Sequence, residues 1–207
     1  MPASPFDLTG KVAIVTGSSR GIGRASAELM AQMGAKVVIS SRKAEACAEV
    51  ADGIRKAGGD AHVIPCNISR RAEVEALVAG TLKHYGRLDA LVCNAAVNPY
   101  YGPLLDISDE AFDKIMGSNV KSNIWLCSLA IPQMAAQGGG SVIIISSIGG
   151  LRGSTVMAPT ASPRRRTSRW RAASPASGGR RTCASTASRP GSSRPTSPGR
   201  CGRTRIC

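Results

Sequence analysis

The sequence predicts an α/β protein built on a doubly wound parallel sheet. Two observations carry this prediction. Short apolar, β-branched runs alternate along the chain with segments whose apolar residues recur at helical spacing. Glycine or polar residues separate these segments, where the chain has to turn. Regular alternation of strand and helix puts parallel strands in one sheet and helices on both of its faces.

Each predicted element rests on its own pattern. The strands are predicted at the short apolar runs, residues 11–16, 37–39, 62–65, 88–94 and 141–147. Helices are predicted where apolar residues recur at helical spacing, at residues 24–33, 43–56, 109–118 and 120–137. Gly34 ends the first helix and Gly58 with Gly59 ends the second. Ser69 is the predicted N-cap of a further helix that runs towards Tyr85.

The formal net charge of +14 is distributed unevenly along the 207 residues. Residues 1–157 hold 15 Lys and Arg against 13 Asp and Glu, whereas residues 158–207 hold 12 Arg and no acid. The second segment also lacks Leu, Val, Phe, Tyr and Met, so it has little to contribute to a core. We therefore predict a folded α/β domain at 1–157, its sheet truncated after the fifth strand, and a disordered Arg/Ser/Pro-rich tail at 158–207.

Cysteine usage and hydropathy narrow the class of protein further. The seven cysteines show no CxxC pair and no histidine at metal-ligand spacing, so no metal site is predicted. The sequence contains no apolar run long enough to span a bilayer and no signal-peptide pattern. We therefore expect a cytoplasmic protein with reduced thiols and no membrane partner.

A glycine-rich turn follows the first strand and is the clearest functional motif. Between a strand and a helix, such glycines let the backbone approach a pyrophosphate, which then lies at the helix N-terminus, as in Rossmann-type domains. The alternative is an ordinary glycine turn. The predicted cofactor-binding residues of this turn are Thr16, Gly17, Ser19, Arg20, Gly21, Ile22 and Gly23.

The spacing of this turn, TGxxxGxG, together with the motifs that follow it, resembles the classical short-chain dehydrogenase/reductase family. Asn67 and Ile68 match the family's adenine-side residues, and Asn94, Ala95 and Ala96 resemble its NNAG motif with Ala in place of Gly. Asn119 falls where the family has a helix-distorting catalytic asparagine, and Ser147 matches its catalytic serine. Singly each could be a turn or strand-end residue. The segments SSRGIG, ISSRK and NAAVNP are most similar to the NADPH-dependent carbonyl and retinal reductases of the family.

Cofactor preference is predicted from the end of the second strand. An NAD-dependent enzyme usually has an acid there to bind the ribose 2′-hydroxyl. This chain has Ser41 and Arg42 instead, and Arg42 could bind a 2′-phosphate through two hydrogen bonds, with Arg20 as a second cation. The alternative is two solvated arginines. We predict NADP(H) as the cofactor.

The family's catalytic Tyr-x-x-x-Lys is missing where the resemblance requires it. Position 160, thirteen residues beyond Ser147, is Thr160, and position 164 is Arg164. Reading the codons from 158 onward one base out of register permits tyrosine over Thr160 and lysine over Arg164, with further family-like motifs downstream. A frameshift near codons 157–158 is therefore the favoured interpretation.

The resemblance implies hydride transfer between NADP(H) and a carbonyl or alcohol substrate, in a homo-oligomer (dimer or tetramer) when intact. Without the tyrosine and lysine, we expect this chain as written to be inactive, and poorly soluble because its fifth strand is left as an edge. The alternative function is an NADP-binding, non-catalytic protein whose basic tail contacts nucleic acid or anionic surfaces. The tail lacks aromatic interleaving apart from Trp170, so no specific nucleic-acid partner is predicted.

Overall fold

The computed structural model describes residues 5–147. They form one parallel five-stranded sheet flanked by helices, which confirms the predicted fold class. The strands are β1 (Val12–Thr16), β2 (Lys36–Ser40), β3 (Asp60–Val63), β4 (Ala90–Cys93) and β5 (Ser141–Ile144). The helices are α1 (Gly21–Gln32), α2 (Ala44–Lys56), α3 (Arg71–Tyr85), α4 (Asp109–Met116) and α5 (Ser122–Ala136). The predicted domain boundary at 157 and the predicted disordered tail lie outside the described residues.

The order of the strands creates a crevice at one edge of the sheet. The sheet runs β3–β2–β1–β4–β5, so the chain leaves β1 towards one side and returns through β4 on the other. All neighbouring strands are parallel, and the pairing of Thr16 with Ser40 shows that β1 and β2 end at the same level. The loops that follow β1 and β4 therefore diverge at the carboxyl edge, the position where open α/β sheets bind ligands.

Side-chain alternation along the strands divides the apolar core between the two faces of the sheet. Ala13 and Val15 of β1 pack with buried residues of α1 and α2, whereas Ile14 of β1 packs with buried residues of α3 and α5. All five β1 residues are buried, as expected for a central strand covered by helices on both sides. In the described part of the chain, no helix is long and apolar enough to cross a membrane.

Several predicted boundaries are wrong by a few residues. The first helix begins at Gly21 and not at residue 24, so the glycine-rich motif forms its first turn. The third strand is Asp60–Val63 and not 62–65, because Pro65 has no N–H to donate to the ladder. The strands predicted at 88–94 and 141–147 are shorter, and β5 is the outermost strand on its side within residues 5–147.

The prediction that Ser69 caps the third helix is also wrong. The helix begins at Arg71, the residue at its N-cap is Arg70, and no side chain caps it. The Ser69 hydroxyl instead forms a hydrogen bond of 2.7 Å with the hydroxyl of Ser118, 49 residues further along the chain. A tertiary contact has replaced the local one.

The two helices predicted at 109–118 and 120–137 form one continuous helical stretch. A π-helical turn, Gly117–Lys121, joins α4 to α5, and the N–H of Ser122 donates to the carbonyl of Gly117. Asn119, which the resemblance marks as helix-distorting, lies inside this turn. Single π turns within α-helices are frequent at functional sites.

Two stacked histidines should make stability depend on pH. The rings of His62 and His84 lie parallel with centroids 3.9 Å apart, and burial, His84 and Arg55 lower the pKa of His62 against the opposing effect of Asp60. The unfolded chain then binds a proton at His62 more readily, so the free energy of unfolding should fall as the pH drops from about 7 through about 6.5. His62→Gln should flatten this dependence in denaturant unfolding curves recorded between pH 5 and 7.5. If the free energy of unfolding of the variant depends on pH as steeply as that of the parent, His62 is not the source of the dependence.

Candidate functional site

Close packing of two loops forms the floor of the crevice. Gly17, directly after β1, has a φ of +68°, and a Cβ there would lie 2.9 Å from the Cα of Ala95. A Cβ on Gly23 would meet the Gly17 carbonyl oxygen and would lie 2.5 Å from Asn94 Nδ2. The glycines therefore let the start of α1, the loop after β1 and the loop after β4 approach more closely than side chains would permit.

The Thr16 hydroxyl joins β1 to the loop after β4. It donates to the Val92 carbonyl at 3.2 Å and accepts from the N–H groups of Asn94 at 3.0 Å and Ala95 at 3.1 Å. In return, Asn94 Nδ2 donates to the carbonyls of Thr16 at 3.0 Å and Gly17 at 3.2 Å. Thr16 and Asn94 were both predicted to bind cofactor. In the structure, these side-chain hydrogen bonds hold the two loops together.

Ser18, which sequence reasoning missed, ties the same loop to β2. It is fully buried, and its hydroxyl accepts from the Ser40 N–H at 2.8 Å. The Ser40 carbonyl accepts from the N–H groups of Gly17 at 2.7 Å and Ser18 at 3.2 Å. Nothing in the sequence marks this partner, since it is main chain from a strand 22 residues away. The Ser40 hydroxyl is itself buried without a hydrogen-bond partner among the described residues.

The N-terminus of α1 opens towards the crevice uncapped. Arg20 occupies the N-cap without a side-chain hydrogen bond to the helix, and the first turn holds no acid. A Cβ on Gly21 would meet nothing within 4 Å, and the side chain of Ile22 is 65% exposed. The space over Gly21 is therefore open, and the uncapped N–H groups and positive dipole end of such a helix suit an anion.

Two arginines lie in the loops that follow β1 and β2. Arg42 follows Ser41 directly after β2, and the structure leaves both Arg20 and Arg42 exposed. Ser41 Oγ lies 3.2 Å from Cys47 Sγ on α2, which holds the start of this loop. Residues 17–23 and 40–44 contain no acid, so no carboxylate in these loops opposes a bound anion.

The loop after β3 brings Asn67 and Ile68 to the same edge of the sheet. The Ile68 side chain is buried in the core, so any contact with a ligand falls to its main chain. Asn67 Oδ1 accepts from the Ser69 N–H at 3.1 Å. The Asn67 N–H donates to Glu73 at 2.6 Å, and this bond, with Arg70, lowers the pKa of the Glu73 carboxyl against the effect of burial.

The π turn is fixed against the loop after β4 by Asn119. Its amide oxygen accepts from the Val97 N–H, and its amide nitrogen donates to the Val97 carbonyl, both at 2.8 Å. The main-chain carbonyl of Asn119 accepts from Asn123 Nδ2 at 2.9 Å. The Asn119 side chain, predicted to be catalytic, therefore positions the turn. Ser118, Ser122 and Asn123, which are also buried, were not predicted from sequence, although their polarity within an apolar helix was a signal.

The remaining predicted residues lie at the same carboxyl edge. Ala96 is exposed in the loop after β4, and half-buried Ser147 follows three residues beyond the end of β5, the neighbour of β4. The fold thus gathers the predicted residues from the loops after all five strands and from the π turn. Within residues 5–147, no group of three or more His, Cys, Asp or Glu side chains is placed to hold a metal ion.

Comparison with known proteins decides the family. The family model described as short chain dehydrogenase matches residues 11–162. The chain belongs to the short-chain dehydrogenase family. It is 43% identical over 141 residues to dehydrogenase/reductase SDR family member 4 of Oryctolagus cuniculus, covering 68% of this chain and 54% of the relative. It is 41% identical over 154 residues to short-chain dehydrogenase/reductase SDRA of Arabidopsis thaliana, covering 74% and 60%.

A solved structure of a family member has a similar fold. The structure is 7 alpha-hydroxysteroid dehydrogenase complexed with NADH and 7-oxo glycochenodeoxycholic acid, with a TM-score of 0.75 and 34% sequence identity. The match covers 79% of this chain and 63% of that one. The chain spans about half the length of the mammalian relatives it matches, such as 50% of the Bos taurus protein.

Two glycine-to-alanine substitutions should show whether close packing at Gly23, and not helix propensity alone, controls the free energy of unfolding. Gly23→Ala should destabilise the fold by about 1–3 kcal/mol, because its Cβ would overlap the Gly17 carbonyl and the Asn94 amide. Gly53→Ala in α2 is the matched control, since its Cβ would meet nothing within 4 Å, and it should stabilise by about 0.4–1 kcal/mol. Urea unfolding measures both. Equal effects of the two changes would contradict the packing described for Gly23.

Proposed function

We propose that this chain carries the cofactor-binding half of an NADP(H)-dependent carbonyl reductase, and that as written it lacks the residues for proton transfer. The observation that carries the proposal is the uncapped N-terminus of α1. It follows the glycine-rich loop after β1, the loops after β1 and β2 each carry an exposed arginine, and residues 17–23 and 40–44 contain no acid. These features together suit a dinucleotide with an added phosphate.

The described residues fit the pyrophosphate of such a cofactor. Phosphate binds where main-chain N–H groups are free and the helix dipole is positive. The open space over Gly21 leaves room for it, and the exposed Ile22 offers an apolar surface that a bound ring would cover. The cofactor would supply the hydride, and the loops after β1 and β4 would hold it in position.

The choice of NADP(H) over NAD(H) rests on charge. A solved family member was complexed with NADH, which supports a nicotinamide dinucleotide for the family. In this chain, Arg20 and Arg42 would neutralise a 2′-phosphate, and a carboxylate that would repel it is absent from residues 40–44.

Carbonyl reduction is proposed because the segments SSRGIG, ISSRK and NAAVNP resemble those of carbonyl and retinal reductases. Two described residues would take part in it. Ser147 would donate a hydrogen bond to the substrate oxygen, and Asn119 would hold the π turn beside it. The tyrosine that would transfer the proton and the lysine that would lower its pKa are not encoded at Thr160 and Arg164. General acid–base help is worth roughly 10²–10⁴ in rate, so we propose that the chain as written does not turn over.

A frameshift near codons 157–158 is our proposed origin of this loss. The charge and composition change abruptly at that point, from a net +2 in residues 1–157 to +12 in residues 158–207. The shifted reading permits tyrosine over Thr160 and lysine over Arg164, at the family spacing. The restored protein would assemble as a dimer or tetramer, as family members do.

Arg42→Asp, introduced into the frame-corrected protein, tests the cofactor assignment. Loss of charge-assisted contacts worth roughly 1.5–3 kcal/mol should weaken NADPH binding by about tenfold to a hundredfold and should leave NADH binding nearly unchanged. Titration of cofactor fluorescence measures both dissociation constants. Lys56→Asp, which makes the same charge change at the far end of α2, is the control and should alter neither constant. Tighter binding of NADH than NADPH by the frame-corrected parent would refute the assignment.

Restoring one base near codon 158 tests the frameshift. The restored protein should be soluble and should oxidise NADPH in the presence of reactive ketones or aldehydes, at a rate at least 10²-fold above the uncorrected chain. A restored gene with a phenylalanine codon in place of the recovered tyrosine is the control and should fold but stay inactive. Binding of NADPH by the uncorrected chain, together with binding of RNA or anionic vesicles by its tail, would favour the non-catalytic alternative over the frameshift.

A further inference from the structure

A pair of serine hydroxyls connects the predicted adenine side of the crevice to the π turn. Ser69 Oγ lies 2.7 Å from Ser118 Oγ, the optimal distance for an O–H···O hydrogen bond. Ser69 belongs to the loop after β3, whereas Ser118 is 98% buried within the π turn. Because Ser69 does not cap α3, its hydroxyl is free for this tertiary contact.

Hydrogen bonds within the loop after β3 link Ser69 to Asn67. The Ser69 N–H donates to Asn67 Oδ1 at 3.1 Å, and the Arg70 N–H donates to the Asn67 carbonyl at 2.9 Å. Glu73 accepts from the Asn67 N–H at 2.6 Å and from Arg70 at 3.0 Å. A ligand that fixes Asn67 therefore also fixes the position of the Ser69 hydroxyl.

On the other side of the pair, Ser118 is built into the turn that carries Asn119. The Ser118 carbonyl accepts from the Ser122 hydroxyl at 2.5 Å, and the Asn119 carbonyl accepts from Asn123 Nδ2. The Asn119 amide holds the main chain of Val97 in the loop after β4. A change in the position of Ser118 is thus transmitted to Asn119 by one peptide unit.

We propose that Ser69 and Ser118 are positioning residues whose hydrogen bond couples occupation of the adenine side of the crevice to the order of the π turn. The inference rests on the proposed NADP(H) function and extends it. Such coupling is reciprocal, so the bond that orders the turn when cofactor binds must also tighten cofactor binding. Its effect on cofactor affinity is about fivefold, the value of a typical side-chain hydrogen bond.

The test combines cofactor affinity with hydrogen–deuterium exchange on the full-length chain, held in solution as a fusion to a soluble carrier domain. In the parent, NADPH should slow exchange at residues 17–23 and 66–70, and also at residues 117–121 of the π turn. Ser69→Ala changes an exposed residue, so folding should be retained. It should weaken NADPH binding about fivefold and remove the protection at 117–121 while keeping that at 66–70.

A double-mutant cycle shows whether the two hydroxyls act together. Ser118→Ala and the double variant should each weaken binding by the same factor as Ser69→Ala, because one bond is lost in all three. Ser69→Thr, which keeps the hydroxyl, should behave as the parent. Ser128→Ala on α5 is the matched control, since its hydroxyl bonds only its own helix at the Trp125 carbonyl, 2.9 Å away.

The outcomes separate this inference from the proposed function. Two results would overturn the coupling alone. In the first, NADPH protects residues 66–70 of the parent but not residues 117–121. In the second, protection at 117–121 persists in Ser69→Ala. Additive losses in the cycle also overturn the coupling. No NADPH-dependent protection at 17–23 and 66–70 in the parent overturns the proposed function, and the coupling with it.

Discussion

The Thr16 hydroxyl is the contact on which the site depends. It lies where the chain leaves β1 for one side of the sheet, and it bonds β4, from which the chain leaves for the other side. Diverging loops at this point create the crevice but also weaken the edge of the sheet. The hydroxyl and the Asn94 amide reconnect the two loops through side chains, and this requires Gly17 and Gly23 to have no Cβ. These bonds and the close packing at the two glycines therefore join the loops where the chain diverges.

Electrostatics at the rim complement this geometry. The free protein leaves the N-terminus of α1 uncapped, with exposed arginines in the loops after β1 and β2, although a polar cap or a nearby acid would stabilise the helix. The nearby Ser18 hydroxyl accepts from the Ser40 N–H and so fixes the loop to β2. Stability of the free chain is thus reduced at the place where a bound anion would restore it.

A second set of buried polar groups fixes the π turn. Ser118, Asn119, Ser122 and Asn123 lie on the inner side of a helix whose other buried residues, such as Leu126 and Ala130, are apolar. Burying polar groups is costly unless each has a partner, and here the amides and hydroxyls bond carbonyls and N–H groups of the turn and of Val97. These bonds satisfy the buried polar groups of a turn that departs from α-helical geometry. The inner side of the helix is therefore polar at this turn, where apolar side chains would otherwise pack.

Much of this protein could be predicted from sequence because the signals are local. Apolar runs identified all five strands, and the glycines of the first turn identified the crevice, since only glycine permits the backbone approach seen at Gly17 and Gly23. The family resemblance placed Asn119 at the distorted turn. Tertiary structure decided what local patterns leave open. The Ser69 hydroxyl could have bonded the start of α3, but it bonds Ser118. Only the fold brings Ser118, 49 residues away, within reach of this hydroxyl. Likewise, Thr16 and Asn94 bond each other's loops, since their partners are main-chain groups more than 70 residues distant, and no sequence spacing encodes such contacts.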